Sequence, residues 1–187
     1  MQKIAILAAP GFEETELIAT LDVLRRLEFD VVVAGVQSLQ VTSTHKLTIQ
    51  ADTTLDKLDP ATLDAVILPG GPASWVLRDT PEVIRLVQTV HASGKLVAAI
   101  CAAPIVLAKA GLLKGKRVTA YPAEAVDDDL KEASAVITRH HDVVLDGNII
   151  TAKGPAAALL FGYSIGEYLG KDLLVAELKY QMCYTGA

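Results

Sequence analysis

The chain has 187 residues, of which 51% are hydrophobic and only 5% aromatic, and its formal net charge is −5 at pH 7. This length suits a single domain over residues 1–187, and the acidic balance with scattered Lys and Arg argues against nucleic acid as the main partner. No apolar run approaches the roughly 20 residues that a membrane-spanning helix needs, so we expect a cytoplasmic protein without a membrane partner.

Strand-like apolar runs alternate with helical periodicity along the chain. The strand-like segments are Lys3–Leu7, Asp30–Gly35, Ala65–Leu68, Leu96–Ile100 and Val118–Thr119, with shorter extended pieces near Val41–Ile49, Val136–Ile137, Val143–Leu145 and Ile149–Thr151. The helical patterns are roughly Glu13–Leu27, Ala73–Val76, Pro81–Ser93, Pro104–Ala110, Glu124–Leu130, Pro155–Leu169 and Leu173–Met182. This alternation predicts an open, parallel α/β sheet with helices on both faces.

Three carboxylates, Glu13, Glu14 and Glu16, lie at the start of the first predicted helix. The helix dipole favours acids there, which is sufficient to explain Glu14 on the solvent side. A helical projection puts Glu16 and Glu13 on the apolar arc instead. Because burial raises the pKa of an unpaired carboxyl group, we expect Glu16 to be a neutral partner of another group. Glu13 is expected to support it or to cap the helix.

Three loops follow predicted strands and are expected to meet at the carboxyl edge of the sheet. They are Ala8–Phe12, Pro69–Pro72 and Cys101–Ala103. The Gly70-Gly71 pair suits a tight turn that brings backbone N–H groups close to a ligand, and an ordinary strand-to-helix turn is the alternative. The sequence has no glycine-rich dinucleotide motif and no Walker-type lysine, so no cofactor is expected.

Cys101 lies at a sharp turn between the buried strand Leu96–Ile100 and a helix that begins near Pro104. The free N–H groups and the positive dipole end of that helix favour a thiolate with a lowered pKa. A cysteine packed as a small hydrophobic residue is the alternative. The other cysteine, Cys183, gives no Cys-x-x-Cys pair, and the four histidines lack zinc-type spacing, so no metal site is expected.

Four motifs together resemble the ThiJ/PfpI superfamily, specifically the branch of the parkinsonism-associated protein deglycase and its bacterial relatives. The motifs are Gly11-Phe12-Glu13-Glu14-Thr15-Glu16, Leu68-Pro69-Gly70-Gly71, Ala98-Ala99-Ile100-Cys101-Ala102-Ala103-Pro104 and Lys153-Gly154-Pro155. Their order and spacing fit up to about residue 170. The resemblance implies a flavodoxin-like three-layer α/β sandwich with a mostly parallel central sheet, usually a homodimer.

The resemblance also implies roles for individual residues. Cys101 would be the nucleophile and a redox-sensitive thiol, with Glu16 as a protonated partner hydrogen-bonded to the sulfur. The backbone N–H groups of Gly71 and Ala102 would line an oxyanion pocket. Supporting positions would be Glu13, Gly70 and Tyr121. Ala102 and Tyr121 stand where some family members have histidines, and this difference bears on the substrate more than on the fold.

The implied function is a cysteine-dependent glyoxalase or protein deglycase in defence against carbonyl or oxidative stress. Its substrates would be small 2-oxoaldehydes, such as methylglyoxal and glyoxal, or their early adducts, converted without metal or organic cofactor. The alternative is a redox sensor or holdase in which Cys101 is oxidised to sulfinic acid without significant turnover. A third possibility is a catalytically silent α/β binding module.

Overall fold

The computed structural model describes residues 1–185 and is built around a seven-stranded sheet. Its strands are β1 (Lys3–Ala8), β2 (Asp30–Gly35), β5 (Thr53–Thr54), β6 (Ala65–Leu68), β7 (Leu96–Ile100), β10 (Val143–Asp146) and β11 (Ile149–Ala152). They lie in the order β10-β11-β7-β6-β1-β2-β5. The pair β10–β11 is antiparallel, and the other neighbours in this sheet are parallel.

Two small sheets and seven α-helices complete the described chain. The small sheets pair β3 (Gln40–Thr42) with β4 (Thr48–Gln50), and β8 (Arg117–Val118) with β9 (Val136–Ile137). The helices are α1 (Glu14–Arg26), α2 (Ala73–Arg78), α3 (Pro81–Ala92), α4 (Pro104–Lys109), α5 (Glu124–Glu132), α6 (Ala158–Tyr168) and α7 (Asp172–Gln181). Helix α1 packs on α6, and α2 to α5 form a second packed group. This is the predicted α/β sandwich.

Most predicted elements agree with the structure to within a few residues at each end. The extended pieces near Val41–Ile49 are the two strands of a hairpin, separated by a turn in which the Ser43 N–H donates to the Leu47 carbonyl at 2.8 Å. Pro155–Leu169 likewise begins with a 3-10 turn before α6. Strand β5 and the 3-10 turns at Leu55–Lys57 and Pro60–Thr62 were not predicted, because they are too short for periodicity to reveal.

The centre of the sheet is buried on both faces. Every residue of β6 and β7 is buried, as continuous apolar runs in a parallel sheet require. The register pairs Leu68 of β6 with Ala99 of β7. Gly70 and Cys101, each two residues further along, therefore emerge side by side at the carboxyl edge. Within residues 1–185, no helix combines the length and apolar character needed to cross a membrane.

Candidate active site

Backbone hydrogen bonds join the loops that leave β1 and β6, and the loop after β7 lies against them, since a Cβ on Gly70 would be 2.5 Å from the Cys101 Cβ. The Glu13 N–H donates to the Gly70 carbonyl at 3.1 Å, and the Ala73 N–H donates to the Gly11 carbonyl at 3.2 Å. Gly71 has φ +77°, and a Cβ on it would lie 2.6 Å from the Gly11 carbonyl oxygen, so only glycine fits this turn. The predicted meeting of these loops is thus observed.

Cys101 occupies a strained turn between β7 and α4. Its φ of 64° lies in the left-handed region, which residues other than glycine rarely adopt. The Cys101 N–H donates to the Ala152 carbonyl at 2.9 Å, and its carbonyl accepts from the Tyr121 N–H at 2.8 Å. The residue is buried, with 7% of its surface exposed.

Gly70 allows Cys101 and Glu16 to approach each other. A Cβ on Gly70 would lie 2.5 Å from the Cys101 Cβ and 2.7 Å from Glu16 Oε2. The Gly70 N–H instead donates to that oxygen at 2.7 Å. The two side chains predicted to act together therefore lie on either side of a glycine that has no side chain to separate them.

Glu16 is fully buried near the start of α1. Its N–H donates to Glu13 Oε2 at 2.7 Å, so Glu13 is the N-cap of this helix, in the predicted capping role. Glu16 Oε1 receives no well-directed hydrogen bond from the described residues. The Cys101 thiol is the polar neighbour of this carboxyl group, and a hydrogen bond between the two side chains influences the pKa of both.

The pKa values of this pair depend mainly on burial. Burial raises the pKa of Glu16 to about 7, against the lowering effect of hydrogen bonds with Cys101 and the Gly70 N–H. Burial also raises the pKa of Cys101 to about 12, and the Glu16 charge and hydrogen bond raise it further. The backbone N–H groups of Gly71 and Ala102 have the opposite, smaller effect on the thiol pKa. The expectation of a lowered thiol pKa is therefore wrong, because burial alone already raises this pKa.

Two interacting acids lose their protons in steps that belong to the pair. Here the pKa for the first proton is about 7 and the pKa for the second is about 12. Between these two pH values the pair therefore shares one proton. That proton lies either on Cys101 or on Glu16. A thiolate exists near neutral pH only in the second arrangement, in which Glu16 is neutral and the N–H groups of Gly71 and Ala102 face the sulfur.

The burial of Glu16 predicts a stability that depends on pH. The folded state binds the Glu16 proton more tightly than the unfolded state does. The stabilisation that comes from this proton is full below about pH 4.5 and is lost as the pH rises to about 7. We expect Glu16→Gln, which keeps an oxygen for the Gly70 N–H, to raise the free energy of unfolding above pH 7 by up to about 3 kcal/mol.

Urea unfolding at about pH 5 and about pH 8.5 measures this effect. The wild-type chain should be less stable at the higher pH, and the difference should shrink in Glu16→Gln. Glu167→Gln is a suitable control, because Glu167 pairs with Lys179 near the surface. An unchanged pH dependence in Glu16→Gln would show that Glu16 does not hold a raised pKa.

Tyr121 borders a cavity beside the turn at Cys101 between β7 and α4, which we call the elbow. The cavity has a volume of about 230 Å³. It is lined by Tyr121, Pro122, Asp142, Lys153, Gly154, Pro155, Ala156 and Ala157. Tyr121 contributes its backbone N–H to Cys101, while its side chain is 48% exposed. A larger cavity of about 440 Å³ near Arg78 and Lys109 includes none of the predicted site residues.

The contact between His45 and Glu14 was not predicted from the sequence. The β3–β4 hairpin is tied to the first loop by the Thr44 N–H, which donates to the Phe12 carbonyl at 2.9 Å. This places His45 Nδ1 3.0 Å from Glu14 Oε1. Glu13, Glu14 and His45 each have one ligand-type atom within 4.8 Å of the others. No local motif signals this grouping, because 31 residues separate Glu14 from His45.

The fold and the site together define the class of protein. It is a flavodoxin-like α/β protein with a cysteine at the sharp turn after a central strand and a buried glutamate beside that cysteine. Residues 2–167 match the profile of the DJ-1/PfpI family, and the chain belongs to this family. Deglycase from Thermococcus kodakarensis is 36% identical to it over 153 residues, covering 82% of this chain and 90% of that protein.

Two further proteins extend the comparison. The crystal structure of Drosophila melanogaster DJ-1beta superposes with a TM-score of 0.93 at 35% identity, covering 99% of each chain. DJ-1 homolog B of Arabidopsis thaliana is 36% identical over 174 residues, which are 91% of this chain and 39% of that longer protein. The predicted family and fold class are confirmed.

Proposed function

We propose that this chain is a cysteine-dependent glyoxalase or protein deglycase that acts on small 2-oxoaldehydes or their early adducts. The observation that carries the proposal is the approach of Glu16 to Cys101 across Gly70, in a pair that shares one proton at neutral pH. Family membership and the deglycase among the relatives support the same activity.

The first step is attack by sulfur on the aldehyde carbon. The Cys101 proton passes to the Glu16 carboxylate as the carbon–sulfur bond forms and the carbonyl π bond breaks. A group with a pKa of about 7 suits such a transfer near neutral pH. The N–H groups of Gly71 and Ala102 stabilise the resulting oxyanion, which takes up the proton to give a hemithioacetal.

The second step moves hydrogen between neighbouring carbons. Glu16 removes the proton from the former aldehyde carbon, and the adjacent ketone carbon takes up a proton through an enediol, so the former aldehyde carbon becomes a thioester. Water then breaks the carbon–sulfur bond and restores the thiol. Methylglyoxal and one water give lactate, so atoms and electrons balance without an external oxidant or cofactor.

This scheme is tested by incubating the chain with methylglyoxal and recording the products by proton NMR. We expect lactate to form without added thiol, metal or cofactor. Cys183→Ser should give the same rate, because Cys183 lies outside the pair. No lactate above the protein-free rate would contradict the glyoxalase proposal.

A second function rests on the reach of solvent to Cys101, which is 7% exposed beside a carboxyl group with a raised pKa. A neutral Glu16 could donate a hydrogen bond to a sulfinic acid formed at this sulfur. Mass spectrometry after mild peroxide treatment distinguishes the two functions. Two oxygens on Cys101 in a chain with no aldehyde turnover would favour redox sensing or holdase action.

We also propose that the chain acts as a homodimer, which rests on the family resemblance. Light scattering of the purified chain in solution tests the assembly state. A mass of one chain across the concentrations used for turnover would contradict it.

A further inference from the structure

The elbow at Cys101 depends on an irregular segment for one of its hydrogen bonds. The segment 119–123 connects β8 to α5 and has no regular secondary structure. Its Tyr121 N–H donates to the Cys101 carbonyl at 2.8 Å. Because Cys101 has φ 64°, its conformation needs such partners to persist. Whatever holds this segment therefore also holds the nucleophile.

Arg139 holds this segment from the side opposite Cys101. One arm of its guanidinium, Nη1, donates to the Ala120 carbonyl at 2.7 Å. The other arm, Nη2, is paired with Asp127 in the first turn of α5. Ala120 is fully buried and immediately precedes Tyr121. A guanidinium is a rigid planar fork, so it fixes Ala120 and α5 relative to each other.

We propose that Arg139 is a positioning residue for the Cys101 nucleophile. It acts through the chain of contacts from Asp127 to Ala120, and from the Tyr121 N–H to the Cys101 carbonyl. Loss of the guanidinium leaves a buried carbonyl without its donor. The segment then shifts to find a partner, the Tyr121 N–H leaves the elbow, and the sulfur moves out of its pairing with Glu16.

The proposal is tested by the alkylation of Cys101 with iodoacetamide as a function of pH. The chain has two cysteines, so Cys183→Ser leaves Cys101 as its single thiol. In this background, Arg139→Met should lower the alkylation rate at neutral pH roughly ten- to a hundredfold, because small displacements of a reacting group are costly. The inflection of the pH profile should also move upward.

Two conservative variants and one control sharpen the test. Arg139→Lys should recover part of the alkylation rate. Its single ammonium group can bind the Ala120 carbonyl or Asp127, but it cannot hold both in fixed positions as the planar guanidinium does. Asp127→Asn keeps an acceptor oxygen and should lose less than Arg139→Met. Arg117→Met is the matched control. The Arg117 side chain is 63% exposed, and its Nε lies 4.0 Å from Asp146 Oδ2, which is too far for a hydrogen bond. In this control, Cys101 should be alkylated at the same rate as in the parent chain.

A purely structural role predicts a different result. Arg139→Met would then have a lower melting temperature with an unchanged alkylation profile, and this outcome would overturn the proposal. Turnover of methylglyoxal is a second measurement, and it alone rests on the proposed function: kcat should fall with little change in KM. Slow alkylation of Arg139→Met in a chain whose parent has no turnover would refute the glyoxalase proposal and support the positioning role.

Discussion

Cys101→Ser should lose conversion of methylglyoxal to lactate by about a thousandfold or more. A serine hydroxyl holds its proton far more tightly than a thiol, so a glutamate with a pKa of about 7 cannot take that proton as the oxygen attacks. The replacement is close in size, and the elbow can keep its backbone hydrogen bonds to Ala152 and Tyr121. Lactate formation under saturating methylglyoxal measures the effect.

Cys183→Ser is the matched control for this variant, because the same atom is changed at a residue that is exposed and outside the site. Both variants should have melting temperatures close to that of the wild-type chain. If Cys101→Ser turned over methylglyoxal within about threefold of the wild-type rate, covalent catalysis by this cysteine would be refuted.

Gly70→Ala should have the second largest effect, with turnover reduced about a hundredfold. The new Cβ would lie 2.5 Å from the Cys101 Cβ and 2.9 Å from the Ile100 carbonyl oxygen. Both atoms belong to the elbow or to β7 and cannot yield as the end of a flexible side chain can. The Glu16 carboxyl group, 2.7 Å from the same position, is displaced, so the pair no longer shares its proton.

The loss of turnover in Gly70→Ala must be distinguished from a general loss of stability. Gly94→Ala provides the comparison, because Gly94 has φ +74° and a Cβ there would meet nothing within 4 Å. That variant costs about 1 kcal/mol in backbone strain and should retain its turnover. Equal turnover in Gly70→Ala and the wild-type chain would show that the spacing between Glu16 and Cys101 is not needed.

The sequence predicted the sheet and the central pair because both depend on local patterns. Continuous apolar runs located β6 and β7 to the residue. Helical projection put Glu16 on the buried face of α1, where it is fully buried. The common carboxyl edge of parallel strands then brought Gly70 and Cys101 together, as their register requires.

Features that depend on distant parts of the chain were not predictable in this way. Arg139 and His45 reach the site region through β9 and the β3–β4 hairpin, and nothing near either residue in the sequence indicates its partner. The thiol pKa was also mispredicted. A helix N-terminus lowers such a pKa, but the depth of burial and the adjacent carboxylate outweigh it, and both are properties of the folded chain.

The pH dependence of Cys101 alkylation, compared between the Cys183→Ser chain and the same chain with Glu16→Gln, tests the shared proton most directly. With Glu16 present, its carboxylate takes the Cys101 proton as the sulfur reacts, so the rate should follow the ionisation of Glu16 and rise through an inflection near pH 7, below the value of about 8.5 for a free cysteine. With Gln at this position the thiol has no acid to take its proton, and burial should move the inflection upward by about one pH unit or more. The same inflection in both chains would contradict the account.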